Sequence, residues 1–361
     1  MTTKGEWDRL WSKCEYATYF HSREWAEIWQ TYSDGNYLPS PYLLKFSDGT
    51  RAIFPLTWHE SQQRFVSSPA ETYGGLLSLD PINNNHTLAA AEFLPKAIGS
   101  LFVRVNPFSG TIDTSESDLP LRNDETLVLC LNGNFESIYN DWSKNHKVAT
   151  KRARKEGITV GTASSLENWC DYYRMYESSL KRWGDNVSSR YGWELFEAIF
   201  SRNSKNIKLW LAWHEGQPIA GALCFYSKRH AVYWHGAAFG EYFKLKPVQL
   251  LFYEAIRDAV DNGYFWFDFN PSGGHEGVKT FKQGFGTAAL SCPWVELEGQ
   301  NSREGWRNDI KRFCFRFNRY VYENDLKPLS MRKTKRHVVG RCMLDKANKE
   351  YFAKIKSEEI N

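Results

Sequence analysis

The sequence predicts an α/β protein of two tandem lobes, each a mixed sheet flanked by helices, followed by a basic C-terminal tail. Three observations carry this expectation. The chain has 361 residues, a length that suits two domains of roughly 100–200 residues. Each half shows the order β-β-β-α-β. The turn signals also recur at a nearly constant offset: Asn106-Pro107 and Asn270-Pro271 lie 164 residues apart, and the hairpin glycines Gly49 and Gly216 lie 167 apart. A repeat this long is a duplicated domain, since solenoid units span roughly 20–50 residues.

In the first half, residues 42–46 and 52–58 read as a hairpin around Ser47-Asp48-Gly49. A strand near Phe65, a helix over about 87–98 and a strand over 101–105 follow, the last ending at Asn106-Pro107-Phe108-Ser109-Gly110. In the second half a helix is expected over 169–183. Apolar segments 207–213 and 218–226 flank His214-Glu215-Gly216-Gln217, a hairpin signal, and a third strand covers 231–239. Val248, Leu251, Phe252, Ala255, Ile256, Ala259 and Val260 then repeat at helical spacing. Pro247 stands at that helix's start and Gly263 just past its end, where each is favoured. A strand over 264–269 closes the set. The expected domains are 1–140, 141–298 and a tail over 299–361.

Hydrophobic residues make up 42% and charged residues 24% of the chain, which excludes a disordered polymer. The 25 glycines and 13 prolines show no triplet period, which excludes a collagen-like chain. Aromatic residues reach 16%, enough for a large core and for stacking on planar or sugar ligands. The net charge is only +4, yet residues 301–361 hold 16 basic against 8 acidic side chains. A second basic cluster is Lys144, Lys147, Lys151, Arg152, Arg154 and Lys155. This segregation fits a polyanionic partner (nucleic acid, nucleotide or phospholipid), or simply a solvated helix face. The seven cysteines form no Cys-x-x-Cys pair, so neither a disulfide framework nor a metal site is expected. The first residues carry no apolar leader, and no run nears the roughly 18 apolar residues of a membrane span. A cytoplasmic protein, at most peripheral to a membrane, is the expectation.

Several segments resemble the FemABX-like and BioF2-like transferases, which pair two GCN5-related N-acetyltransferase (GNAT) folds. In the second half these are Lys151-Arg152-Ala153-Arg154-Lys155-Glu156-Gly157, Gly216-Gln217-Pro218-Ile219-Ala220, Pro247-Val248-Gln249-Leu250-Leu251, residues 263–268, and Thr280-Phe281-Lys282-Gln283-Gly284-Phe285-Gly286. In the first half they are Phe20-His21-Ser22-Arg23-Glu24-Trp25 and Tyr73-Gly74-Gly75. The resemblance covers about residues 15–297 and implies two tandem GNAT-like lobes. It also implies transfer of an acyl or aminoacyl group from a thioester or ester to an amine, with no tightly bound cofactor. Arg152, Arg154, Lys155, Phe281 and Tyr73 are the substrate- or phosphate-binding residues it points to.

Such chemistry needs a neutral amine, a stabiliser for the tetrahedral oxyanion and exclusion of water. Lys282 matches the lysine of the family's Phe-Lys-x-x-Phe-Gly-like motif. It is expected to stabilise the oxyanion or hold a donor phosphate; otherwise it is a surface lysine beside a strand. Asp268, among Phe267 and Phe269, is a base candidate or a carboxylate capping the loop at Asn270. His235 is a second base candidate or a hydrogen-bonded core histidine. His275 and Glu276 repeat the idea more weakly. The tail run Arg332, Lys333, Lys335 and Arg336 is an RNA-backbone contact or a solubilising arm.

One departure bears on the donor. GNAT folds that bind acetyl-CoA carry a glycine-rich loop whose backbone N–H groups hold the pyrophosphate. Here residues 242–248 contain no glycine, and Pro247 has no N–H. The leading expectation is therefore aminoacyl transfer from aminoacyl-tRNA to an amine of a peptide, cell-wall precursor or small molecule. The alternatives are an acyl-CoA-dependent N-acyltransferase acting on a sugar amine or other small amine, and a non-catalytic RNA- or phosphate-binding protein.

Overall fold

A crossover from strand through helix to parallel strand lies at the centre of each of two compact units. A computed structural model describes them over residues 4–110, 119–184 and 189–299. The first unit runs to Asn123 and resumes at Cys292; the second is Asp124–Ser291. These bounds differ from the expected 1–140 and 141–298, and strand pairing is the reason. Strand Glu125–Cys130 pairs with Trp266–Pro271 and Ala288–Ser291 in the second unit. Strand Trp294–Leu297 returns to pair with Leu101–Arg104 in the first. Ladder hydrogen bonds, not chain order, decide where a strand belongs. The expected basic tail lies, beyond Gly299, outside the described residues.

In the first unit the main sheet has the order Tyr37–Pro39, Thr57–His59, Arg64–Val66, Leu101–Arg104, Trp294–Leu297. Helix Asn84–Ile98 crosses from Arg64–Val66 to its parallel neighbour Leu101–Arg104. Asn83 caps the helix by accepting from the His86 N–H, and Gly99 ends it. The expected hairpin is divided. Tyr42–Lys45 and Arg51–Phe54 form a ladder of their own, while Thr57–His59 joins the main sheet. Pro55 sits at the break, and without an N–H it cannot continue a ladder.

The second unit's sheet has the order Ala288–Ser291, Glu125–Cys130, Trp266–Pro271, His230–Ala238, Gln217–Tyr226, Ile207–His214, Thr159–Thr162. Within it His230–Ala238 and Trp266–Pro271 are parallel, and the remaining neighbours are antiparallel. The hairpin turn Glu215-Gly216 has two positive φ angles, 51° and 80°, as a two-residue type I′ loop requires. Alternation along Gln217–Tyr226 separates the faces. Ala220, Ala222 and Cys224 share a core with helix Pro247–Asp261, whose Leu251, Ala255, Ile256 and Ala259 are buried. Gly221 turns to the other face, where a Cβ would come within 2.5 Å of the Tyr172 ring. That glycine lets helix Leu166–Trp183 lie close to the sheet. Ser165 caps this helix by accepting from the Asn168 N–H. Among the described residues, no helix is long and apolar enough to cross a membrane.

Ile256 has no exposed surface, so Ile256→Asp would place an unpaired carboxylate in the second core. That burial costs several kcal/mol, and the expected fall in melting temperature is roughly 10 °C or more. Thermal unfolding followed by circular dichroism checks this; a wild-type melting curve would contradict the helix register.

Candidate functional site

The parallel strands of the second unit pair only from His230↔Trp266 to Val232↔Asp268. Beyond that point they separate, although one continues to Ala238 and the other to Pro271. Two irregularities coincide with the separation. Cys224 opposes Tyr233 while Leu223 opposes His235, so Trp234 is an extra residue in its strand. On the other strand the register against Glu125–Cys130 slips between Asp268 and Pro271, and Asn270 takes a positive φ of 61°. Bulges of this kind leave backbone groups unpaired and re-aim side chains. The first unit closes the equivalent position. There Ser67 N–H donates to Phe102 O, and Gly74 N–H donates to Arg104 O. Gly74 also bridges in parallel to Val105. A Cβ on Gly74 would lie 2.3 Å from that of Ser67, so the filling segment needs glycine there.

Asp268 is fully buried at the rim of the second unit's opening. Its Oδ1 accepts from Thr126 Oγ1 at 2.5 Å and from Asn270 N–H at 2.8 Å. The carboxylate thereby fixes the bend at Asn270. Lys282, in the last turn of helix Glu276–Gln283, is only 4% exposed. Its Nζ donates to Asn270 O at 2.7 Å and Pro271 O at 3.1 Å. Burial pushes its pKa down to about 8, against the opposing pull of Asp268 and Asp124. An ammonium has three N–H donors, so one is left without a partner among the described residues.

The motif around Lys282 has a packing logic. Phe285 is buried and stacks on Phe269, with centroids 5.1 Å apart. Phe281 is half-buried, and its carbonyl partners His146 Nε2 at 2.9 Å. Gly284 leaves space for that imidazole, since a Cβ would lie 2.5 Å from it. Burial lowers the His146 pKa.

His235 is half-buried on the strand beyond the separation point. Its Nδ1 is 2.5 Å from Tyr172 Oη, and the rings of Tyr176 and Phe196 stand edge-on to it at 4.6 and 5.4 Å. Burial pushes its pKa down to about 3, so the ring is neutral at ordinary pH. His275 and Glu276 are exposed at the start of helix Glu276–Gln283.

The other expected residues disperse. Arg154 lies 4.2 Å over the Tyr253 ring and pairs with Glu254 at 3.3 Å, holding helix Lys144–Lys155 to helix Pro247–Asp261. Arg152 and Lys155 are exposed, the former 3.5 Å from Glu156. With Lys144 and Lys151, also exposed, they mark a basic side of that helix. Tyr73 is fully buried in the first unit, 5.9 Å from the Phe20 ring. The run Arg332, Lys333, Lys335 and Arg336 lies outside the described residues. Sequence reasoning missed Thr126, His146 and Tyr172; it singled out His235, but nothing local marked Tyr172 as that histidine's partner.

Residues 142–283 match the family described as Acetyltransferase (GNAT) domain. Among solved structures the chain is similar to FemX, with a TM-score of 0.61, 14% identity, and coverage of 81% of this chain and 96% of that one. A conserved protein of unknown function from Bacteroides thetaiotaomicron gives 0.54 at 8% identity, covering 82% and 98%. The C-terminal domain of a putative lysylphosphatidylglycerol synthetase from Agrobacterium fabrum gives 0.50 at 10%, covering 80% and 97%. At such identities the likeness is one of fold. No curated protein matches the sequence.

The Lys282 shift has a stability consequence with a definite sign. The unfolded chain, near pKa 10.5, holds this proton up to a higher pH than the folded protein, near 8. Protonation therefore favours unfolding, and the contribution to stability is lost as pH falls through 8. The span is about 3 kcal/mol at about 1.4 kcal/mol per pKa unit. In denaturant titrations, wild type should gain stability relative to Lys282→Met between pH 8 and 10. A constant difference would contradict the burial of a charged amine there.

Proposed function

We propose, from the match of residues 142–283 to the Acetyltransferase (GNAT) domain family and the likeness in fold to FemX, aminoacyl transfer from aminoacyl-tRNA to an amine. The acceptor class is a peptide, a cell-wall precursor or a small molecule. In this reaction the amine nitrogen attacks the ester carbonyl and an amide bond forms. The ester C–O bond breaks, the ribose hydroxyl leaves with a proton, and the amine loses one. The developing oxyanion needs a donor already in place, and the remaining N–H of Lys282 fits that requirement. Asp268 sets the bend that presents Lys282, consistent with its buried, doubly bonded oxygen.

The observation that carries the choice of donor is the start of helix Pro247–Asp261. A pyrophosphate is held by several unengaged N–H groups at a helix N-terminus. Here residue 240 to residue 245 is a closed 3-10 turn, with the Tyr242 and Lys246 N–H groups bonded to Phe239 O and Phe243 O. Pro247 then supplies none. With the Lys246 N–H already bonded and none on Pro247, the standard CoA-diphosphate cradle is short of donors. The basic side of helix Lys144–Lys155 suits a long polyanion instead. One structural neighbour is named for lysylphosphatidylglycerol synthesis, which fits an aminoacyl group as cargo. The matched family's acetyltransferase description favours the second reading, an acyl-CoA N-acyltransferase.

Both donors, offered with the same amines at two salt concentrations, separate these readings. Transfer from aminoacyl-tRNA is expected, with affinity falling steeply as salt rises, at a log–log slope of about −0.7 per single-strand phosphate neutralised. Arg152→Glu with Lys155→Glu should weaken binding and flatten that slope; Arg154 is spared because it packs on Tyr253. Transfer from acyl-CoA alone, unaffected by the double variant, would favour the second reading.

A further inference from the structure

Tyr172 decides which nitrogen of His235 carries the proton. The phenol has no exposed surface, and among the described residues its hydroxyl meets one polar partner, His235 Nδ1. Burial holds the phenol pKa well above 10, so the hydroxyl keeps its proton. Among the described residues that proton has one acceptor within reach. Were Nδ1 also protonated, the hydroxyl would have to accept from it and turn its own hydrogen to where no described residue offers an acceptor, a costly arrangement in a buried site. The neutral ring must therefore accept at Nδ1 and hold its own hydrogen on Nε2. Gly221 underlies this geometry by admitting the Tyr172 ring against the sheet.

Among the described residues, the groups facing the imidazole give no reason to charge it. They are Tyr172 and Tyr176 from helix Leu166–Trp183, Phe196 from helix Trp193–Phe200, and Tyr191 and Trp234. None is a carboxylate or a cation. Nε2 has no protein partner among the described residues and is not sealed in. Beside it, the partly exposed rings of Tyr191 and Trp234 lie 5.4 Å apart.

We propose that His235 Nε2–H is a fixed hydrogen-bond donor for an oxygen of the acceptor substrate, with Tyr172 as the positioning residue that sets the tautomer. The ligand class is an amine whose neighbouring carbonyl or hydroxyl oxygen binds Nε2–H while its apolar or ring face rests on Tyr191 and Trp234. A protonated amine is turned away from this spot. His235 is consequently not the base that takes the amine's proton. The identity of the ligand rests on the transferase reading above; the tautomer does not.

Two measurements on the full chain keep those claims apart. Long-range proton–nitrogen NMR of protein carrying 15N-histidine reads the tautomer directly, with the His235 signal assigned by its loss in His235→Gln. The expected pattern is protonated Nε2 and bare Nδ1, unchanged from pH 8 to pH 5. Tyr172→Phe should mix the tautomers. Protonated Nδ1, or titration near pH 6.5 in the wild type, would overturn the proposal. Steady-state kinetics with aminoacyl-tRNA and amino-acid amides as acceptors provide the second test. His235→Ala should raise the acceptor KM about tenfold with kcat nearly unchanged, and His235→Gln, which keeps an N–H, should recover most of the loss. A kcat loss of about 100-fold or more in both variants would mark a general base and overturn the proposal. If no amine is aminoacylated at all, the transferase reading fails, and the NMR result still decides the tautomer.

Discussion

Two parallel strands stop sharing hydrogen bonds after Val232 and Asp268, and the chemistry available to the second unit depends on that separation. A strand edge left unpaired must find water or a ligand, because buried backbone groups without partners are costly. Several features keep the strands apart. Trp234 is an extra residue in one strand, and Asn270 turns the other through a left-handed conformation. Asp268 fixes that turn from within, and the Lys282 ammonium ties its carbonyls from outside. Burying an ammonium is unfavourable, as its lowered pKa records. The two carbonyls and the attraction of Asp268 and Asp124 offset part of that cost.

The first unit shows the same crossover without the opening. Gly74 brings a following segment against Val105, and the edge that would bind a ligand is satisfied by the chain itself. The two units share that crossover, and local backbone pairing distinguishes them. A fold alone would not assign the chemistry to either; the free edge and the buried lysine favour the second.

Much of this architecture was legible in the sequence because its signals are local. The helix Pro247–Asp261 announced itself through apolar spacing between a proline and a glycine, and the Glu215-Gly216 hairpin through its turn residues. What escaped is long-range. Thr126 and Asp268 meet across 142 positions, and Tyr172 and His235 across 63; no periodicity marks either pair. The compact units differ in bounds from the expected domains for the same reason, since Glu125–Cys130 and Trp294–Leu297 find their partners far along the chain. The resemblance points to Arg154 as a substrate- or phosphate-binding residue; its contact with the Tyr253 ring, about a hundred positions away, left no local mark in the sequence.

Hydrogen–deuterium exchange with and without aminoacyl-tRNA examines the open strand edge most directly. If that edge receives the donor's acyl end, amides of residues 233–237 should exchange more slowly in the bound state. Those of residues 64–74, already closed by their own chain, should be unchanged. Binding that leaves 233–237 unprotected, or that protects 64–74 instead, would contradict the assignment of the site to the second unit's divided strands.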